Sequence, residues 1–460
     1  MSAPHGGLEM ELDIVGLVGA CSYALDCIEA ELVHVTNRHG KRVAYISVCM
    51  AERLGIEGSA LQDLAVCAML HDNALTQYIS EEIQENNISN ISLGGSTQGD
   101  KNTVVDSGGM SNESEAIISE NGMAYSPEII KSIVGSIHKK IGLHCTYGEQ
   151  NIKKLPFYTD VSGAVLYHHE NADGTGTFGK RWDEIPLFAR IIHLCDMVDV
   201  MGNSCDFSGE SWIRAKEYVC RNRNILFDSE CADAFLEVFS EENFVSMSQD
   251  RFEDELWKKI PRDKRDCDFE TCKGIADFFA GIVDYKSEFT GKHSLGVAKK
   301  AAELAEYMGY SQADIEKFYM AGALHDIGKM AIGNEILEKP GRLTDEEFSR
   351  MKNHAGYTYM ILSEVKDFDE VRDWAALHHE KLDGTGYPFG KKAEELNEPE
   401  RLMACVDIYQ ALTEARPYKS GMSHDKACSI LEDMVQKGWI DAAVTDKLRS
   451  CFEVGGRDMV

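Results

Sequence analysis

A chain of 460 residues, 43% of them hydrophobic, has enough apolar material for two or three packed domains. Its formal charge of −30 and pI of about 4.9 argue against sequence-independent binding of DNA or RNA, which needs basic surface. They leave room for a small anionic substrate, because a local cationic pocket can form on an acidic protein.

The N-terminus, MSAPHGGLEMELD, lacks a positive segment followed by an apolar core, so no signal peptide is expected. The most apolar early run, Ile14 to Ile28, carries Asp26 and falls short of the ~20 residues a membrane helix needs. The fourteen cysteines are dispersed with no C-x-x-C pair, as in a cytoplasmic protein with reduced, mostly buried thiols. Cys195 and Cys405 sit inside apolar helical runs and read as core.

The first half of the chain repeats in the second. His39 in NRHGKRVAYIS matches His293 in GKHSLGVAKKA, and His71-Asp72 in AMLHDNAL matches His325-Asp326 in GALHDIGK. Each pair is separated by 32 residues. His144 matches His354, each 24 residues before a double histidine, His168-His169 and His378-His379. Asp196 and Asp407 each follow an arginine, Arg190 or Arg401, by six residues. Chance does not place ten of fifteen histidines in two matching sets, and a repeat this long indicates duplicated domains, not a solenoid.

Both halves read as helical. Leu295, Ala298, Ala302, Leu304 and Ala305 fall on one face at helical spacing. Thr344 and Glu347 form a capping box after the Pro340-Gly341 loop. No long alternating strand pattern appears, so the expected fold is all-α, with two tandem helical domains. The expected boundaries are 1–248 for the first domain, 249–266 for a partly helical linker and 267–460 for the second. Residues 211–245 and 423–453 read as corresponding terminal helices. The first domain carries an insertion at about 78–125, rich in serine, asparagine and glycine, which reads as a tolerated surface loop. The glycines and Pro388 of HHEKLDGTGYP (His378 to Pro388) make a turn that would hold the histidine pair at the mouth of a pocket.

In this order, the motifs of residues 267–425 resemble those of the HD-GYP family of metal-dependent phosphodiesterases, within the all-helical HD superfamily. That chemistry needs an activated water and cancellation of charge on phosphate oxygens, which a two-metal site supplies through about seven protein ligands. The second half offers His293, His325, Asp326, His354, His378, His379 and Asp407. The resemblance implies that Asp326 bridges two ions, with His293, His325 and Asp407 on one and His354, His378 and His379 on the other. Imidazole and carboxylate donors without thiolate suit iron or manganese, with zinc and nickel left open. Phe289 stands where some relatives carry a glutamate for a third metal, so two ions are expected.

Lys329 in HDIGK lies three residues past Asp326, on the same helical face, and is expected to reach the scissile phosphate; the alternative is a surface lysine at a helix end. Arg416 and Lys419 in EARPYKS match a family segment that carries two arginines, and Tyr387 is a candidate pocket wall or a brace for the turn. The first half keeps seven metal-type residues: His39, His71, Asp72, His144, His168, His169 and Asp196. Leu75 replaces the lysine and Gly176-Thr177-Phe178 the GYP triplet, so a metallated regulatory domain is favoured over a second active site.

The resemblance implies hydrolysis of a cyclic dinucleotide, cyclic di-GMP in the first instance, to linear pGpG and then GMP. The alternative substrate is 3′,3′-cyclic GMP-AMP. An alternative of another class is a non-catalytic module that senses ligand or redox state. A homodimer or a signalling partner stays open.

Overall fold

The computed structural model describes residues 10–32, 38–74, 141–203, 206–249, 251–261, 264–337, 339, 341–415 and 420–454, apart from 287–292. The insertion at 78–125, together with Leu75, Phe289, Arg416 and Lys419, lies outside the described residues.

The fold is all-α, and among the described residues the strands form one short ribbon. In chain order the elements are β1 (Met10–Leu12), α1 (Ile14–Leu32), α2 (His39–Ala51), α3 (Ser59–Met69), α4 (141–152), α5 (Leu187–Asn203), α6 (Gly209–Arg221), α7 (Ser229–Val238), α8 (Glu241–Ser246) and α9 (Arg251–Lys259). They continue as β2 (Arg265–Cys267), α10 (Phe269–Lys286), α11 (His293–Met308), α12 (Gln312–Leu324), α13 (Asn334–Leu337), α14 (Asp345–Ser363), α15 (Asp369–Ala376), α16 (Glu398–Thr413), α17 (His424–Gln436) and α18 (Ala442–Val454). Among the described residues, no helix is long and apolar enough to cross a membrane.

The chain divides into two compact units. An N-terminal unit comprises residues 39–150 and 157–261; a C-terminal unit comprises 1–38, 151–156 and 262–460. This division departs from the 1–248, 249–266 and 267–460 boundaries expected from sequence. Residues before 39 join the C-terminal unit because β1 pairs antiparallel with β2, Met10 opposite Cys267. Leu12, Val15, Leu17, Val18, Cys21 and Leu25 are buried there, which explains the apolar run at the start of α1. Half of the expected linker is α9, whose Phe252 and Leu256 are buried and whose Glu253 pairs with Lys41 of α2 at 2.9 Å. Its alternation of apolar and charged residues is an amphipathic helix pattern, and the apolar face packs within the N-terminal unit.

The buried stripe of α11 is Val297, Ala298, Ala301, Leu304 and Ala305, whereas Leu295 and Ala302 are only half-buried. The face is rotated from the expected one because α12 packs closely on it. A Cβ at Gly322 of α12 would come within 2.6 Å of the Ala298 Cα. Thr344 caps α14 by accepting from the Glu347 amide at 3.2 Å, and Glu347 accepts from the Thr344 amide at 2.7 Å. The two units also share a device for seating a late helix. Arg190 pairs with Asp228, the N-cap of α7, at 3.2 Å. Arg401 pairs with Asp441, which accepts from the first-turn amides of α18, at 2.8 Å. Cys195 and Cys405 are fully buried core thiols.

Candidate metal centres

In the C-terminal unit, His293 opens α11, His325 closes α12, and Asp326 leads into a tight 3₁₀ turn, Ile327–Ala331. His354 lies midway along α14, His378 and His379 follow α15, and Asp407 lies within α16. These seven residues converge. His293, His325 and Asp407 form one cluster of ligand atoms within 4.8 Å, and His354, His378 and His379 form another. His325, Asp326 and His378 form a third cluster of the same kind, joining the other two. The Asp326 carboxylate faces both sides: Oδ2 lies 3.1 Å from His325 Nε2, and Oδ1 lies 3.5 Å from His354 Nε2. Asp407 Oδ1 is 3.1 Å from His293 Nε2, and its Oδ2 is 4.0 Å from His379 Nδ1.

The backbone fixes how the rings face. The Nδ1 atoms of His325, His354 and His378 lie 2.7, 2.7 and 2.6 Å from the carbonyls of Gly322, Met351 and Ala375. A carbonyl only accepts, so each Nδ1 carries the proton and each Nε2 presents a lone pair inward. The Nε2 atoms of His354 and His378 and Oδ1 of Asp326 are buried without a hydrogen bond. Such groups are costly in an apolar interior unless a cation takes their lone pairs. Inward lone pairs on imidazoles and carboxylates therefore fit a divalent metal centre. Burial alone would raise the Asp326 carboxyl, but the His325 imidazole and the Lys329 ammonium beside it outweigh that and hold it well below the usual carboxylate range. Burial pushes His379 down to about 3, which keeps it neutral and able to ligate.

Lys329 lies in the 3₁₀ turn, its Nζ 2.5 Å from Asp326 Oδ2 and its side chain partly exposed. It therefore stands at the centre, not on a remote surface. Tyr387 is also at the centre, its ring 4.7 Å from that of His379 and 6.2 Å from that of His354. Sequence reasoning assigned no role to Glu380, yet it holds the loop carrying this tyrosine. Its carboxylate accepts from the amides of Phe389, Gly390 and Lys391 at 2.7, 3.0 and 3.0 Å. Gly386 allows the chain to fold back, since a Cβ there would lie 2.3 Å from the Lys381 nitrogen.

The N-terminal unit repeats the arrangement. His39, His71 and Asp196 cluster within 4.8 Å, and so do His144, His168, His169 and Cys145. Asp72 again faces two ways, with Oδ2 3.6 Å from His71 Nε2 and Oδ1 2.9 Å from His144 Nε2 and 3.5 Å from His168 Nε2. His71 and His168 donate from Nδ1 to the carbonyls of Ala68 and Val165. Glu170 anchors its loop through the amides of Phe178 and Lys180, both at 2.6 Å. That loop is one residue shorter than its counterpart: Phe178 lies eight residues past Glu170, and Phe389 nine past Glu380.

Three further participants were missed in the sequence. Glu414 lies 3.1 Å from His293 Nδ1, and Asp199 lies 2.7 Å from His39 Nδ1. Arg42 in turn donates to Asp199 from Nε and Nη2 at 2.6 and 2.9 Å. The available signal was position: Asp199 and Glu414 lie three and seven residues past an aspartate ligand candidate on one helix, spacings that return to the same face.

A family model for the HD domain matches residues 136–220 and 277–444, more than half of the chain. The chain belongs to the HD domain family. It is 32% identical over 313 residues to 3′3′-cGAMP-specific phosphodiesterase 1 of Vibrio cholerae serotype O1, spanning 66% of this chain and 72% of that protein. It is 32% identical over 320 residues to phosphodiesterase 3 of that name from the same organism, spanning 69% and 66%. A cyclic di-GMP phosphodiesterase of V. cholerae is 40% identical over 167 residues, about a third of each chain. The fold matches a crystal structure of cyclic GMP-AMP specific phosphodiesterases in V. cholerae, V-cGAP3, with a TM-score of 0.63 at 23% identity over 97% of this chain and 98% of that one.

Proposed function

We propose that this protein is a metal-dependent phosphodiesterase that opens a 3′,3′-cyclic dinucleotide, with turnover at the C-terminal centre. The observation carrying this reading is the Asp326 carboxylate, whose two oxygens face two histidine sets while Lys329 touches one of them. Bound ions, iron or manganese by the donor set, supply an activated water and neutralise charge on the phosphate. His293, His325 and Asp407 would hold one ion, His354, His378 and His379 the other, and Asp326 both. The chain's own groups do the rest. Lys329 places a cationic donor beside the bridging carboxylate, where it can face a phosphate oxygen. Tyr387 forms an aromatic wall over His379, and the Glu380-anchored loop keeps it there. Arg416 and Lys419 are proposed to contact substrate from outside the described residues.

Cyclic di-GMP and 3′,3′-cyclic GMP-AMP share the backbone this site would read. Cyclic GMP-AMP is favoured by the two relatives that align over more than 300 residues, both named for it. The relatives named for cyclic di-GMP align over about a third of the chain. The N-terminal centre is proposed to bind metal and contribute little turnover, its loop being shorter and lacking the tyrosine. The test is incubation of reduced, iron- or manganese-loaded protein with each dinucleotide, following linear products by chromatography. Hydrolysis of either supports the enzyme. Binding of both without product would leave a ligand-sensing module.

A further inference from the structure

Helix α14 carries more than His354. Phe348 and Lys352 lie four residues apart on it, which puts them on one face. The Lys352 ammonium sits over the Phe348 ring, 5.5 Å from its centre, and 6.0 Å from the centre of the Tyr387 ring. Tyr387 adjoins His379 and His354, so this lysine stands beside the metal-ligand candidates. Phe348 leaves 49% of its surface to solvent. Lys329 is tied to Asp326, but Lys352 pairs with no carboxylate among the described residues. Its neighbours three and four residues away are Phe348, Ser349, Ala355 and Gly356, none of them acidic. Glu347 is turned to Lys339 and the Thr344 amide. In a chain with 77 acidic and 47 basic residues, an unpaired ammonium beside the centre is available to a ligand. The N-terminal unit lacks both the lysine and the tyrosine. Gly142 stands two residues before His144, as Lys352 stands two before His354. A Cβ at Gly142 would lie 3.1 Å from the Thr177 methyl, so the loop closes over the place where a lysine stem would start.

We propose that Phe348, Lys352 and Tyr387 form a purine subsite of the C-terminal centre that prefers guanine. The proposal rests on the phosphodiesterase reading and names which base the site reads. Each base of a cyclic dinucleotide hangs from the sugar–phosphate ring. With one phosphate at the metal ligands, a base can reach the aromatic surface beside Tyr387. Aromatic side chains hold bases by stacking and do so whatever the base. Discrimination comes from Lys352. Guanine presents two acceptors, N7 and O6, along one edge, and a lysine can donate to both. Adenine keeps N7 but sets an amino donor where O6 would be, and that donor would face a cation. An unpaired ammonium at an exposed phenyl ring therefore favours guanine. One base is read and the other is not. Cyclic di-GMP and 3′,3′-cyclic GMP-AMP both satisfy the subsite, and cyclic di-AMP does not.

The test uses the full, metal-loaded chain and two readouts. Calorimetry with GMP and AMP reads binding of a purine without a diester to cut. Initial rates with cyclic di-GMP, cyclic GMP-AMP and cyclic di-AMP read turnover. Wild-type protein should bind GMP more tightly than AMP by at least about fivefold, the low end for a good contact to a purine edge. It should also show a lower KM for the two guanine dinucleotides than for cyclic di-AMP. Lys352→Ala should erase the preference by weakening GMP far more than AMP. Lys352→Arg should keep it, because a guanidinium takes the same two acceptors. Phe348→Ala should weaken GMP and AMP alike, and Phe348→Trp should restore both. Wild-type protein indifferent to GMP and AMP overturns the proposal, whatever the variants do. Equal loss of both ligands in Lys352→Ala overturns it too, and reduces the lysine to packing on Phe348. A guanine preference in binding with no cleavage of any dinucleotide upholds the subsite and sinks the phosphodiesterase reading instead.

Discussion

Glu414 and His293 are joined by a hydrogen bond of 3.1 Å from the imidazole Nδ1 to the carboxylate. The ring is thereby turned so that Nε2 faces Asp407, 3.1 Å away. Glu414 stands at the end of α16, one residue before the described chain breaks off ahead of Arg416. Removing the carboxylate should loosen the ring without removing a ligand. Glu414→Gln is expected to lower metal affinity of the C-terminal centre by roughly 10–100-fold. Metal titration monitored by calorimetry checks this, and Glu414→Asp should restore part of the loss. Equal affinities in all three proteins would make the contact incidental.

Lys329→Ala should retain metal and slow turnover by about 10²-fold or more, the cost of removing a donor aimed at developing phosphate charge. Metal content and kcat measured on one preparation distinguish this from damage to the centre. A normal kcat would restrict Lys329 to pairing with Asp326.

Glu380→Gln removes a charge that three loop amides share. The amide side chain can satisfy only part of that arrangement, so a loss of about 1–3 kcal/mol of stability is expected in urea denaturation. Turnover should fall with it, because the loop positions Tyr387. Glu170→Gln should destabilise the protein comparably and leave turnover nearly intact. Loss of turnover in the Glu170 variant alone would point to the wrong centre.

The same assignment is tested at the metals themselves. His325→Ala with Asp326→Ala should give a protein that still holds metal and has almost no phosphodiesterase activity. His71→Ala with Asp72→Ala should hold less metal and keep most activity. Metal quantitation beside a cyclic dinucleotide assay reads both, and the reverse pattern would make the N-terminal unit the enzyme.

The helical character and the duplicated histidine sets were legible because both rest on spacing along the chain. Thr344 and Glu347 announced a helix start for the same reason, and the spacing of Leu295, Ala298, Ala302, Leu304 and Ala305 announced a helix, though not which side of it α12 would cover. What could not be read was anything that depends on partners far apart in sequence. Spacing from Asp196 and Asp407 puts Asp199 and Glu414 on the ligand face, but it does not say that Asp199 braces His39 or Glu414 braces His293. The boundary near residue 38 was hidden likewise: an apolar run says that α1 is buried, not against which unit.

The pairing of Met10 with Cys267 gives the chain a nested order of assembly. The residues that the ribosome makes first in this stretch find their strand partner only after the whole of 39–261 has emerged. Until then α1 carries an apolar face with nothing to cover it, while the N-terminal unit can already close on itself. The order of synthesis is therefore not the order of completion: the middle of the chain can finish before its beginning. A cut near residue 260 would not release two self-sufficient halves either, for the distal piece would lack the strand and helix that complete its core. Complementation between a fragment of residues 1–38 and a fragment of 262–460 is the natural way to see this, with the short piece acting as a folding template supplied in trans.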